Sequence, residues 1–155
     1  MKIGIGYDIH CLKKNRKLIL GGVEIPYLFG LFGHSDADVL LHAICDAILG
    51  ACGQGDIGIH FPNTNPEYKN ISSLILLKKV NELLKKRKLK INNIDTTILA
   101  EEPKLSPYYE EMKKNIAKTL NTISKNINIK STTMEKLGSI GKKKAIAAYA
   151  IVSIK

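Results

Sequence analysis

The sequence predicts an α+β fold: a single domain over residues 1–155, with a mixed β-sheet covered by helices. Three observations lead there. Segments that alternate apolar and polar residues are interspersed with segments whose apolar residues recur at three- and four-residue steps. Clusters of Gly, Pro, Ser and Asn punctuate them. A length of 155 residues suits one core, and neither a repeat nor a Ser/Gly linker divides it.

Residues 2–7 alternate in strand fashion. Lys17–Leu20 and Val23–Ile25, joined by Gly21-Gly22, read as a tight hairpin. A loop carrying Gly30, Gly33 and His34 follows. Ser35 then reads as a helix N-cap with Asp38 in the capping-box position; the helix is expected to end near Leu49, with Gly50 as C-cap. Residues 53–66 read as loop, because Gly53, Gly55, Gly58, Pro62 and Pro66 break any period. A second helix begins near Ser72 or Ser73 and reaches about Lys88, with Leu74, Leu77, Val80 and Leu84 as its buried stripe. Residues 93–100 alternate as a strand. After a loop at 101–105, Ser106-Pro107 reads as a cap and first helical position, opening a helix with Met112, Ile116 and Leu120 on one face. Two more strands are expected at 128–133 and 145–154.

Composition narrows the function classes. Hydrophobic residues at 45% and charged residues at 25% describe a folded chain, not a disordered one. The longest apolar run, Val39–Gly50, is interrupted by His42 and Asp46 and falls short of the roughly 18 residues a membrane span needs; no membrane partner is expected. The N-terminus enters a strand pattern without the features of a signal or transit peptide. The expected setting is the cytoplasm, or an organelle stroma after removal of a leader. Three cysteines, an odd number with no CxxC pair, fit a reducing compartment, and Cys45 and Cys52 read as small core residues. The net charge of +10 invites a nucleic-acid partner. Yet Arg16 and Arg87 are the only arginines, and interleaved aromatics are lacking. No nucleic acid is expected, and Lys85-Lys86-Arg87-Lys88 reads as a helix end whose cations suit the macrodipole.

Four segments carry chemistry. In Asp8-Ile9-His10, at a strand end, residues two apart point to one face, so carboxylate and imidazole project together. His42, polar in an apolar helix, is either a satisfied core histidine or the third ligand of a zinc site open at its fourth position. Asp46, one turn on, is expected to fix the His42 tautomer from behind. Gly33-His34-Ser35-Asp36-Ala37-Asp38 is either a plain cap or an anion site, with His34 donating to a phosphate oxygen. Gly55-Asp56-Ile57-Gly58 and the loop from Phe61 to Pro66 suit a sugar hydroxyl or simply a turn. The stretch Lys130–Gly138, with Thr133 and Glu135, suits a diphosphate with its own magnesium, or a helix start.

In this order the segments resemble the 2-C-methyl-D-erythritol 2,4-cyclodiphosphate synthase family of the non-mevalonate isoprenoid pathway. The resemblance rests on Gly4-Ile5-Gly6-Tyr7-Asp8-Ile9-His10, Leu20-Gly21-Gly22-Val23-Glu24-Ile25-Pro26, His34-Ser35-Asp36-Ala37-Asp38-Val39-Leu40-Leu41-His42-Ala43, Gly55-Asp56-Ile57-Gly58, Phe61-Pro62 and Thr132-Thr133-Met134-Glu135-Lys136-Leu137-Gly138. It covers nearly the whole chain. It implies a chorismate-mutase-like homotrimer with active sites between subunits, a cytidylylated diphosphate substrate, and release of CMP as a cyclic diphosphate forms. It implies zinc on Asp8, His10 and His42 and a second cation, magnesium or manganese, near Glu135. His34 and Thr133 are implied to steady the transition state. Ser35, Asp56, Ile57 and Gly58, with Phe61, Pro62, Asn63, Thr64 and Asn65, are implied to hold the methylerythritol. Ala100, Glu101, Glu102, Pro103, Lys104, Leu105 and Ser106 are implied to line the cytosine and ribose, with Thr132 near the phosphates. Asn63 and Asn65 stand where the family usually carries aspartate, and Met134 where it carries threonine. Ser139 and Lys142 stand where an aromatic and an arginine are common; these two lie towards the trimer cavity in the family. The competing readings are a metal-dependent phosphohydrolase on the same ligands, a basic nucleic-acid-binding domain and a non-catalytic scaffold.

Overall fold

The computed structural model describes residues 1–155. Seven strands form, β1 (Lys2–Lys14), β2 (Leu18–Leu20), β3 (Val23–Ile25), β4 (Phe29–Phe32), β5 (Ile91–Leu99), β6 (Ile127–Thr132) and β7 (Ala145–Ile154). The helices are α1 (Val39–Cys52), α2 (Ile57–His60), α3 (Ser73–Lys86), α4 (Tyr109–Leu120) and α5 (Gly138–Gly141). The main sheet runs β4-β1-β7-β5-β6; only β5–β6 is a parallel pair, and β2–β3 is a separate hairpin. The sheet is therefore mixed, as expected.

Its helical cover is one-sided. α1 lies across β1 and β7, α3 packs on α1, and α4 joins α3 and β6. On the opposite face only α5 closes a small cluster, Ile140 with Ala145 and Ala147. The rest of that face is bare and apolar: Ile3 is 64% and Ile5 67% exposed, beside Tyr7, Ile9, Tyr149 and Ile151. No helix is long and apolar enough to cross a membrane.

β1 and α1 meet with almost no side chain between them. Even-numbered residues of β1 face the helix. A Cβ on Gly6 would stand 1.9 Å from the Ala43 carbonyl oxygen, and one on Gly4 2.0 Å from that of Ala47. Ala43, Ala47 and Ala51, one turn apart, are all buried along this contact. Two strand residues rise about 6.6 Å and four helix residues about 6 Å, so a Gly-x-Gly strand matches an Ala-x-x-x-Ala helix in step. Continued by one repeat, the same register sets Asp8 against the N-terminal turns of α1.

Element boundaries differ from expectation where long-range partners decide them. The N-cap of α1 is Asp38, not Ser35, and the helix runs past Gly50 to a left-handed Gly53. Asp38 accepts from Leu41 N at 3.1 Å and also from Gly21 N and Gly22 N at 3.0 and 2.7 Å. It thus ties the β2–β3 turn, whose glycines have φ of 58° and 71°, to the helix start. The expected loop at Gly30 is strand β4, paired with the far half of β1. α2 interrupts the expected loop at 53–66. Ser106 opens a 3-10 turn without a side-chain cap before α4. Glu135 begins no helix: it has φ of 50°, and the short helix starts at Gly138.

Burial and the nearby Asp36 outweigh the three N–H donors and push the Asp38 carboxyl up to about 6. In an unfolded chain it titrates near 4, so the folded state holds the proton over the interval between. The stability from this group is full below about pH 4 and is lost as pH rises through about 6. Asp38→Asn should abolish that slope, worth up to about 3 kcal/mol, in urea unfolding of the apo-protein at pH 4.5 and 7. Gly6→Ala, which must push α1 outward, should cost about 3 kcal/mol in the same measurement and weaken divalent-metal affinity, read by chelator competition.

Candidate metal centre

Asp8 and His10 project from β1 on the face that Gly4 and Gly6 keep close to α1, and His42 comes down from the first turn of that helix. Three atoms converge. Asp8 Oδ2 lies 2.9 Å from His10 Nε2 and 2.9 Å from His42 Nδ1, and the two nitrogens are 3.1 Å apart. The side chains are 27%, 20% and 12% exposed in the order Asp8, His10, His42, so the cluster is closed behind and open on one side.

The hydrogen bonds behind the imidazoles settle their tautomers. His10 Nδ1 lies 3.1 Å from the Phe32 carbonyl oxygen, which can only accept; the ring proton sits on Nδ1 and the lone pair on Nε2. Ser73 Oγ donates to Asp36 Oδ1 at 2.5 Å, and Ser73 N donates to Asp36 Oδ2 at 3.0 Å. With its proton spent on the carboxylate, Ser73 Oγ accepts from His42 Nε2 at 2.9 Å. Ser35 Oγ lies 3.1 Å from the same nitrogen. The His42 proton is therefore on Nε2 and its lone pair on Nδ1.

With both rings neutral, three lone-pair donors point at one spot, an arrangement that repels itself unless a metal ion or a proton occupies the middle. Burial would raise the Asp8 pKa, but with protons on the inner nitrogens the hydrogen bonds and charge of His10 and His42 hold it well below the usual carboxylate range. Burial would lower that of His42, and Asp8 outweighs it and raises it. Both directions express the same demand for positive charge. Ligand atoms around tetrahedral zinc stand about 3.3 Å apart, close to the separations found. Two imidazoles, one carboxylate and an open fourth direction are the donor set of a catalytic zinc site. The residues fit the ion.

The open side faces a cavity of about 270 Å³ that also brings together His34, Ser35, Ile57, Gly58, Phe61 and Asn63. A second cavity, about 540 Å³, collects Ala100, Glu101, Glu102, Pro103, Lys104, Leu105 and Ser106 with Thr132 and Thr133. The two share no residue. Register carries Asp8 through Ala148 and Ile98 to Ser131, three strand spacings or about 14 Å across the sheet. Other predicted residues line neither cavity. Asp56 caps α2 through Ile59 N and Asn65 caps the next turn through Glu67 N. Pro62 and Thr64 are exposed, Glu135 accepts from Thr133 Oγ1 at 2.9 Å, and Met134 packs on the cluster beneath α5. Ser139 and Lys142 are exposed around α5.

The expected role of Asp46 is corrected. Its Oδ1 accepts from Ile57 N at 2.7 Å, tying α1 to α2, and it makes no bond to His42. The groups behind His42 are Ser73 and Asp36. No local signal marks Ser73, which looks like any serine at a helix start and meets His42 across 31 positions of chain.

The fold is shared with solved relatives. Residues 1–155 match the model of the YgbB family. A 2-C-methyl-D-erythritol 2,4-cyclodiphosphate synthase of Caldicellulosiruptor bescii is 58% identical over 153 residues, covering 99% of this chain and 98% of that one. A synthase of the same name from Clostridium botulinum is 57% identical, with 99% and 98% covered. Among solved structures, the bifunctional IspDF of Campylobacter jejuni superposes with a TM-score of 0.95 at 44% identity, over 99% of this chain and 42% of that longer one. IspF of Plasmodium falciparum, in a CDP complex, gives 0.86 at 40% identity, over 99% and 94%.

Ser73→Ala would leave the His42 Nε2 proton and the Asp36 carboxylate short of their shared partner. Zinc affinity should fall about 10- to 100-fold, measured by competition with a chromophoric chelator; an unchanged affinity would show that Ser73 does not support His42.

Proposed function

Because the chain belongs to the YgbB family, we propose that it acts as a 2-C-methyl-D-erythritol 2,4-cyclodiphosphate synthase in non-mevalonate isoprenoid biosynthesis. The substrate is 4-diphosphocytidyl-2-C-methyl-D-erythritol 2-phosphate. The convergence of Asp8 Oδ2, His10 Nε2 and His42 Nδ1 within 3.1 Å of one another carries this reading. Identities near 57% over the full chain support it, as does a relative in complex with CDP.

An oxygen of the substrate's 2-phosphate bonds to the β-phosphorus. The bond from that phosphorus to the oxygen bridging to the α-phosphate breaks, and CMP leaves with that oxygen and the electron pair. A phosphate is already an anionic nucleophile, so no side-chain base is needed. The protein's task is to fold the substrate back on itself and to meet charge on the phosphoryl oxygens. Zinc held by Asp8, His10 and His42 would supply Lewis acidity there, and magnesium or manganese near Glu135 further neutralisation. His34 and Thr133 donate to the transferring group. Asp56, Ile57 and Gly58, with Ser35 and the Phe61–Asn65 loop, hold the methylerythritol. The 100–106 segment and Thr132 hold the nucleotide, away from competing water.

The proposal includes a chorismate-mutase-like homotrimer. The bare apolar face of the sheet, with Ile3, Ile5, Tyr7, Ile9, Tyr149 and Ile151 exposed side by side, supports assembly. Two disjoint cavities on one subunit support an active site built from the metal cavity of one copy and the nucleotide cavity of the next. Ser139 and Lys142 then lie towards the central axis.

His42→Ala should lose its stoichiometric zinc and at least about 1000-fold of cyclase activity, followed by phosphorus NMR of the product, while the trimer persists in sedimentation. A linear product from the unaltered chain would instead mark a phosphohydrolase.

A further inference from the structure

A third cavity, about 430 Å³, adjoins the metal cavity and shares Gly33, His34 and Asn63 with it; its other walls are Arg16, Phe32, Lys69 and Asn70. No carboxylate lines it. Arg16 comes from the turn after β1 and is held there from three sides. Its Nε donates to the Leu31 carbonyl oxygen at 3.2 Å and an Nη to that of Ser35 at 3.4 Å. The guanidinium carbon lies 5.8 Å from the centre of the Phe32 ring. The side chain is half-buried. Neither Arg16 nor Lys69 has an ion-pair partner anywhere in the molecule.

A guanidinium offers more N–H donors than two carbonyls use. Fixing one against an aromatic ring without a counter-ion leaves a partly desolvated charge whose remaining donors suit two oxygens of one oxyanion. Lys69 on the rim adds charge, and the Asn63 and Asn70 amides add donors without adding negative charge. We infer that Arg16 and Lys69 form a phosphate subsite beside His34, which takes the non-attacking oxygens of the substrate phosphate that serves as nucleophile. The inference rests on the cyclase reading. Two phosphoryl groups, both anionic, must come together in that reaction. The metal cluster answers the charge of the diphosphate, and a separate cation is required for its attacker. A fork that occupies two peripheral oxygens leaves the third free to attack.

The test uses the zinc-loaded full chain and the variants Arg16→Gln, Arg16→Lys and Lys69→Gln. With the 2-phosphate-bearing substrate, KM should rise about 10- to 30-fold in Arg16→Gln, as expected for a lost charged hydrogen bond, and less in Lys69→Gln. Arg16→Lys should recover part of the loss. The affinity for CDP, which lacks that phosphate, and the zinc stoichiometry should stay within twofold. A KM unchanged in both Gln variants, or a parallel loss of CDP affinity, would overturn the subsite. If the unaltered chain forms no cyclic product, the cyclase reading fails by itself. The subsite is then decided with inorganic phosphate by calorimetry: binding weakened in Arg16→Gln sustains it, and equal binding overturns it.

Discussion

The closeness of β1 and α1 is the constraint on which the rest of the molecule depends. Helix and sheet ordinarily pack with a layer of side chains between them, about 10 Å from axis to sheet. Here Gly4 and Gly6 withdraw that layer on the strand side, and Ala43, Ala47 and Ala51 thin it on the helix side. The helix sinks until its backbone almost touches the strand. At that spacing an imidazole on α1 can share one point with a carboxylate and an imidazole on β1. With a full layer of apolar side chains between them, the three groups would stand too far apart to meet. The small residues are therefore a geometric requirement of the cluster as much as a feature of the core.

Once the elements are that close, electrostatics decides what the cluster is for. A carboxylate between two protonated imidazoles would be an ordinary buried ion pair. The carbonyl of Phe32 and the Asp36–Ser73 pair take up the outer ring protons, so that each ring, when neutral, turns its inner nitrogen to the centre as a lone pair. Asp36 spends a charge to orient a hydroxyl, and the hydroxyl orients a ring. A network satisfied at every outer position and unsatisfied only at its centre selects a cation there.

The regular elements and the inner ligands could be read from the sequence, because both rest on short-range pattern. The Ala- and Ile-rich run of residues 145–154 and the Gly21-Gly22 turn name their own structures, and Asp8 and His10 share a face by strand geometry alone. What escaped depends on partners distant along the chain. Asp38 and Ser35 are equally good caps by type; the hairpin amides that choose Asp38 lie 16 and 17 positions away. Strand β4 exists because β1 is long enough to pair with it. Asp46 sits at the helical spacing that suits a partner for His42, yet an N–H of α2 claims it and a serine from α3 takes the role. Likewise the segments expected to hold one substrate fall into two cavities, and nothing in a linear order distinguishes one pocket from two.

That division bears on how copies would meet in the proposed trimer. Asp8 and His10 sit on β1, with His42 above them on α1, towards one edge of the sheet, and the cavity lined by residues 100–106 lies at β5 and β6, at the other, level with them across about three strands. A two-fold contact places like against like and would leave each half-site facing its own kind. A head-to-tail contact joins unlike edges, and a ring of such contacts leaves no half-site without its complement. The bare face carrying Ile3, Ile5, Tyr7, Tyr149 and Ile151 runs along β1 and β7, between those edges. A ring that buried this face towards its axis would turn the two edges towards its neighbours. The same small set of strands would then account for the apolar surface, the separated cavities and the proposed substrate, with its different chemical group at each end.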